Sequence, residues 1–287
     1  MRSRPKRVAL KEDRHKVWLI LDSGAFSAWT RKVTINIDDY IAYIKANQHL
    51  VAAYVNLDVI PGEFGRVPSD EEVEASAAQG FENMLYMEKH GLHPMPVYHM
   101  GESLKWLDKM IDHGCDYIGI SPANDRTTDQ KRDWLDMVFD HICDADGWPK
   151  IKTHGFGVTS IPLMMRYPWY TADSTSWILF GVYGMILVPR HRNGRFVYDE
   201  SPHSVFVSSK SKAITVDGKH FNSYSSMLQE HIREYLTECG VTVEEAAENG
   251  DLRSQINARF YRDFTEYSLA NPRPFVRRPR LRTVFDE

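Results

Sequence analysis

Two kinds of block alternate along the first two thirds of the chain. One is a short unbroken apolar run. The other is a capped stretch with apolar residues three and four positions apart. The first run, Val17-Trp18-Leu19-Ile20-Leu21, reads as a strand buried on both faces and ends in Asp22-Ser23-Gly24, a carboxylate followed by a turn. Asp38 and Asp39 ahead of Tyr40, Ile41, Tyr43 and Ile44 predict a short amphipathic helix with acid in its first turn. The run 51–60 again passes through a carboxylate, Asp58, and ends in Pro61-Gly62. Ser69 and Glu72 form a capping-box pattern that opens a helix closing at Gly91.

The rhythm continues. Residues 95–101 predict a strand and turn ending His99-Met100-Gly101, and Ser103 caps a helix carrying Leu104, Leu107 and Ile111. Residues 116–121 predict a strand ending at Ser121, and a helix follows around 134–142. Residues 150–157 give a strand and turn through His154 and Gly155. Ser160 then caps a helix over 161–167, and 170–174 gives a short strand ending at Asp173. Such alternation implies parallel strands with right-handed crossovers. Beyond Gly181 the pattern blurs: 183–188 and 204–208 read as strands, and 223–238 and 252–269 as firm helices. No linker and no internal repeat interrupts the chain.

The 287 residues fit a closed (β/α)8 barrel, which needs about 250. The expected fold is therefore α/β, a single TIM-like barrel over residues 17–270, with a basic segment 1–16 before it and an Arg/Pro-rich tail 271–287 after it. The competing open doubly wound sheet is favoured by a Gly-rich phosphate loop. Neither G-x-G-x-x-G nor a P-loop follows the first run.

Composition narrows the classes. Apolar residues are 43% and charged residues 26%, which allows a substantial core. No apolar run approaches a membrane span and no signal-peptide core opens the chain. Cys115, Cys143 and Cys239 are scattered, which fits a reducing cytoplasm and leaves no Cys pair for a zinc site or a disulfide framework. The net charge of −4 hides clusters. Arg2, Arg4, Lys6 and Arg7 crowd one end, and Arg273, Arg277, Arg278, Arg280 and Arg282 the other. Arg190, Arg192 and Arg195, with Lys210, Lys212 and Lys219, are candidates for a phosphate-binding face.

Candidate chemistry collects at the strand ends: Asp22, Asp58, His99, Ser121, His154 and Asp173. In a barrel these ends converge on one face. Three carboxylates and two histidines in one pocket either bind a metal or divide into nucleophile, acid/base and substrate clamp. A strand-end Asp is also an ordinary helix cap. Phe26, Trp29, Tyr98, Phe156 and Tyr170 serve either as stacking platforms or as core.

The series Asp22-Ser23-Gly24-Ala25-Phe26, Asn56-Leu57-Asp58, Val97-Tyr98-His99-Met100-Gly101, Ile118-Gly119-Ile120-Ser121, His154-Gly155-Phe156-Gly157-Val158-Thr159 and Ala172-Asp173-Ser174 resembles the tRNA-guanine transglycosylase superfamily. It is most similar to the shortened DNA transglycosylases of phages and bacterial islands. The resemblance spans roughly residues 17–190. It implies a barrel that exchanges guanine in DNA for a 7-deazaguanine base such as preQ0 and so shields phage DNA from restriction. It needs no cofactor and no metal. Its partners are guanine-containing DNA and a free 7-deazaguanine base, with monomer or homodimer left open and no membrane. By the same resemblance Asp173 is the nucleophile and Asp22 the acid/base. Asp58 holds the base; Ser23, Gly24, Phe26, His99, Gly101, Gly119, His154 and Gly155 line its pocket.

The chain departs from the family pattern in four ways. Ala25 stands where tRNA enzymes have a second Gly, and His99 where they have Gln. Ala172-Asp173-Ser174-Thr175 replaces a Phe-Asp-Cys-Val context, and the Cys/His zinc subdomain is absent. A tRNA transglycosylase, a non-catalytic nucleic-acid-binding barrel and an unrelated metal-dependent barrel hydrolase using Asp22, Asp58 and His99 remain the alternatives.

Overall fold

The apolar runs become short parallel strands and the capped stretches become helices. The computed structural model describes residues 19–278 except 64, 124, 159 and 212–217. β1 (Ile20–Leu21) and β2 (Ala53–Tyr54) pair in parallel. A single parallel bridge between Val55 and Met95 carries the ladder onward. β3 (Val97–His99), β4 (Tyr117–Ser121), β5 (Lys152–Gly155) and β6 (Thr171–Ala172) then form one parallel sheet in sequence order. The registers align Val97 with Gly119, Gly119 with His154 and His154 with Thr171. Strand order thus follows chain order through all six, without the reversal that marks a doubly wound sheet.

Helices fill the crossovers: α1 (Ala25–Arg31), α2 (Ile37–Asn47), α3 (Asp70–Lys89), α4 (Leu104–Asp112) and α5 (Thr128–Ile142). Their starts follow the sequence chemistry. Ser69 and Glu72 close a full capping box on α3, and Thr127 and Gln130 another on α5. The side chain of Asn36 accepts from the Asp38 and Asp39 amides at the start of α2. One expectation fails in part. Leu19 is 49% exposed and Ile20 and Leu21 are half-buried, so the described part of this run is not fully buried; Val17 and Trp18 lie outside the described residues.

The described chain forms two compact units, where the sequence suggested one domain over 17–270. The first unit holds residues 19–158, 167–173 and 274–278. It contains all six parallel strands and helices α1 to α5. Its tail segment is tied down. Phe275 is buried and stacks on Tyr167, its amide donates to the Gly147 carbonyl at 2.9 Å, and Arg277 and Arg278 pair with Asp140 and with Asp133 and Asp136 of α5.

The second unit holds residues 160–166 and 174–273. It contains α6 (Ile161–Arg166), α7 (Ser176–Val182), β7 (Met185–Val188), β8 (Arg190–Arg192), β9 (Arg195–Val197) and β10 (His203–Phe206). α8 (Ser226–Glu238), α9 (Val243–Glu248) and α10 (Gly250–Ala270) complete it. Here the strands pair antiparallel: β7 with β10, and β8 with β9 across a turn in which Asn193 and Gly194 both have positive φ. Asn257, fully buried on α10, accepts from the Leu187 amide at 2.7 Å and donates to the Trp177 and Met185 carbonyls, satisfying the buried backbone around β7.

Candidate active site

All of the strand-end groups lie in the first unit, at the C-terminal ends of its parallel strands. Asp22 follows β1, His99 closes β3, Ser121 closes β4, Gly155 closes β5 and Asp173 follows β6. Asp58 lies past β2 in a turn where its amide donates to the Asn56 carbonyl at 2.9 Å. That turn is anchored on α3: Asn56 donates to the Gly80 carbonyl and Asn83 to the Leu57 carbonyl, each at 2.7 Å.

Asp58 is the hub of a side-chain chain. Ser23 Oγ donates to Asp58 Oδ1 at 2.9 Å, and His99 Nε2 meets Asp58 Oδ2 at 3.0 Å. The other face of His99 is engaged as well, with Nδ1 3.0 Å from Glu102 Oε1. Glu102 folds back because the turn after β3 passes through Gly101 at φ 108° and because the buried Tyr98 hydroxyl donates to the Glu102 carbonyl at 2.8 Å. A Cβ on Gly101 would meet nothing within 4 Å, so this glycine serves backbone conformation rather than space.

Asp173 heads a second chain. Its Oδ1 accepts the Gly157 amide at 2.8 Å and lies 3.5 Å from His154 Nε2. His154 Nδ1 is 2.7 Å from Thr171 Oγ1, which is 2.6 Å from the Tyr117 hydroxyl. His154 is buried, whereas half of the Asp173 side chain is open to solvent. The ring of Phe156 stands edge-on to His154 at 4.4 Å and occupies the space above Gly119, where a Cβ would come within 2.3 Å of it.

The two chains set protonation in opposite directions. Burial and then the negative charge of Asp58 raise the pKa of Asp22, with Asp173 adding to the effect against the Ser23 and Gly24 amides. Asp173 is lowered: burial works against it, but the His154 hydrogen bond and the Gly157 amide outweigh burial. Burial opposes a charge on His99 too, yet hydrogen bonds to Asp58 and Glu102 push it up to about 10, so it is an imidazolium at neutral pH.

Neither Asp22 nor Asp173 is spent as a helix cap. The N-cap of α1 is Gly24, in the left-handed region, and that of α7 is Thr175; the first amides of these helices donate to Ser23 Oγ (from Ala25, 3.2 Å) and Ser174 Oγ (from Ser176, 3.1 Å), not to either aspartate. The aromatic candidates divide. Tyr98 is core, stacked on Trp134, so it offers no platform. Phe26 (46% exposed) presents an open ring, whereas Tyr170, though 59% exposed, meets Tyr117 edge-on and lies under the Lys152 ammonium at the N-terminal end of β6.

The basic candidates lie in the second unit, and two of the arginines already have partners, acidic ones only for Arg192. Arg192 pairs with Asp199 and Glu200, and Arg190 donates to the Ser201 carbonyl and meets His203. Arg195 is exposed and borders a cleft of about 470 Å³ that Phe196, Tyr267 and Asn271 also line. Lys210 is exposed; Lys212 lies outside the described residues, as do the basic residues before 19 and after 278.

Sequence reasoning missed Glu102, Thr171 and Tyr117. Only Glu102 carried a usable signal, its place three residues after His99 across a glycine turn. Among the described residues no group of three or more His, Cys, Asp or Glu side chains is arranged to hold a metal ion. No helix described is long and apolar enough to cross a membrane. Compared with protein-family models and with curated proteins, the chain shows no match.

Proposed function

We propose that this chain is a base-exchanging transglycosylase of the kind its motifs resemble, replacing guanine in DNA by a 7-deazaguanine base, with the six parallel strands of the first unit as part of a (β/α)8-type barrel. The barrel reading is supported by six parallel strands in chain order with polar groups at their C-terminal ends. The observation that carries the chemistry is the opposite displacement of two carboxylates within electrostatic reach, Asp22 upward and Asp173 downward. Such a split assigns an acid and a nucleophile.

The exchange is a double displacement. Ionised Asp173 attacks C1′ of the target nucleotide while the C1′–N9 bond breaks and neutral Asp22 gives its proton to the departing guanine. Asp22, now a carboxylate, takes the N9 proton of the incoming base. N9 then attacks C1′ and Asp173 leaves, restoring both carboxyl groups and the original configuration. One glycosidic bond is exchanged for another, so no cofactor is consumed. The target nucleotide must leave the duplex stack, at a cost of a few kcal/mol, and the exposed ring of Phe26, two residues past Gly24, offers a place to stack it.

The test is incorporation. The protein is incubated with guanine-containing duplex DNA, or with tRNA, and with isotope-labelled guanine or preQ0, and the nucleic acid is digested to nucleosides for mass spectrometry. Label in DNA is the expected result. Label in tRNA alone selects the tRNA alternative, and label in neither refutes transglycosylation.

A further inference from the structure

Glu102 is a carboxylate in an expensive place. Its side chain is only 2% exposed, and Oε2 is buried without a hydrogen-bond partner among the described residues. An ionised group so buried and half-satisfied costs free energy unless it supports a neighbour. Oε1 supports one neighbour, His99. His99 in turn has no ring nitrogen left, because Nε2 is committed to Asp58, whose other oxygen takes the Ser23 hydroxyl.

We infer that Glu102 is a positioning residue. Through the chain Glu102–His99–Asp58–Ser23 it holds Asp58 as an acceptor in one orientation, and thereby makes the site select a base edge with two adjacent N–H donors. This deepens the transglycosylase reading and rests on it. With both Ser23 and His99 donating to it, Asp58 uses one lone pair on each oxygen and keeps the others for a ligand. A guanine-type edge presents N1–H and an exocyclic amine. Hypoxanthine presents N1–H alone, and adenine has no N1–H. The charged groups facing His99 are Asp58, from the turn after β2, and Glu102, from the turn after β3; Asp22 and Tyr40 face Asp58 in turn. A neutral His99 would carry one ring proton for two carboxylates, and Asp58 would lose its fixed donor whenever that proton sat on Nδ1.

Two readouts test this. The first needs no activity: histidine-labelled full-length protein is titrated by NMR from pH 5 to 9. His99 should stay doubly protonated through pH 8 in the wild type, and Glu102→Gln should move its midpoint toward the ordinary histidine value. A wild-type His99 that titrates between pH 6 and 7 overturns the proposal. The second is kinetic. In Glu102→Gln, KM for the incoming base should rise about tenfold above the new midpoint while kcat at saturating base stays near wild type, and the preference for guanine over hypoxanthine should shrink by a similar factor. Glu102→Asp, which keeps the charge, should recover part of both. A loss confined to kcat, or an unchanged base preference with His99 demonstrably neutral, refutes the positioning role. If the wild type exchanges no base at all, the transglycosylase reading fails, and the base-selection half of the inference fails with it. The NMR result then decides the His99 clamp alone.

Discussion

Gly119 lies in the middle of β4, paired with Val97 on one side and His154 on the other. Its φ is not in the positive region, so alanine is acceptable to the backbone, and the obstacle is space. A Cβ there would sit 2.3 Å from Cε2 and 3.0 Å from Cδ2 of Phe156. Carbon atoms in contact settle near ~3.5–4 Å, so the ring must retreat by roughly 1 Å or more. The ring is partly buried against the Val55, Met95 and Val97 cluster and edge-on to His154, so retreat sacrifices packing on both. Overpacking of this kind costs about 1–3 kcal/mol.

The steric origin makes the prediction sharp. In a Phe156→Ala background the obstacle is gone, and Gly119→Ala should be neutral or stabilising by up to about 1 kcal/mol through the reduced freedom of the unfolded chain. Urea unfolding of the four proteins in a double-mutant cycle should therefore give a coupling of about 2 kcal/mol between the two positions. Equal costs of Gly119→Ala in both backgrounds would refute the argument that this glycine exists to seat the ring over His154.

Further outcomes follow from the charged groups. His99 has a folded-state pKa of about 10 against 6.5 unfolded, so its contribution to stability is fully present below pH 6.5 and is lost as pH rises toward 10. Between those limits unfolding free energy should fall by up to ~1.4 kcal/mol per pH unit, a slope that His99→Gln should remove in pH-dependent urea titrations. Asp173→Ala should abolish any covalent protein–DNA adduct on denaturing gels. Asp22→Asn should slow turnover on the order of a thousandfold with DNA binding retained; an adduct that survives in Asp173→Ala identifies a different nucleophile. Because Arg190 and Arg192 already have partners, neutralising Arg195 should lower the log–log salt slope of DNA affinity by ~0.9, more than neutralising Arg192 does, and equal effects would argue against the pairing.

What the sequence disclosed depended on how local the signal was. Caps and strand ends are local, so the α3 capping box, the polar strand termini and Asp173 after β6 were all readable. Burial is not local: the run 17–21 looks like a strand buried on both faces, yet Leu19 is half exposed and Ile20 and Leu21 are half-buried. In the apolar stretch 176–188 the strand was readable over 183–188 but the helix before it was not. The stretch contains both α7 and β7, separated at Gly184, whose φ of 88° breaks the run without any polar residue to announce it. Partnering is the least local property of all. The cluster 190–195 reads as a phosphate grip until the β8–β9 hairpin brings Asp199 and Glu200 back onto Arg192. Glu102, between Gly101 and Ser103, reads as a solvated turn until the Tyr98 hydroxyl and the Gly101 conformation fold it under His99.

The same distinction bears on why two strand-end aspartates are read as chemistry. An Asp ahead of a helix is most simply a cap, and a cap is explained once it accepts the first free amides of that helix. Asp22 and Asp173 fail that explanation, since the first amides of α1 and α7 donate to Ser23 Oγ and Ser174 Oγ and not to either aspartate. Each is held instead by the amides of its own turn or of a neighbouring loop, and each stays open to solvent. A structural carboxylate gains from an environment that lowers its pKa, and Asp173 alone has one. Burial and the like charges of Asp58 and Asp173 raise the pKa of Asp22 against the Ser23 and Gly24 amides, the opposite of the environment a structural carboxylate gains from. A proton held near a second, ionised carboxylate is what a displacement at a glycosidic carbon requires. The upward displacement at Asp22 is therefore the feature that a purely architectural reading of these strand ends leaves without a cause.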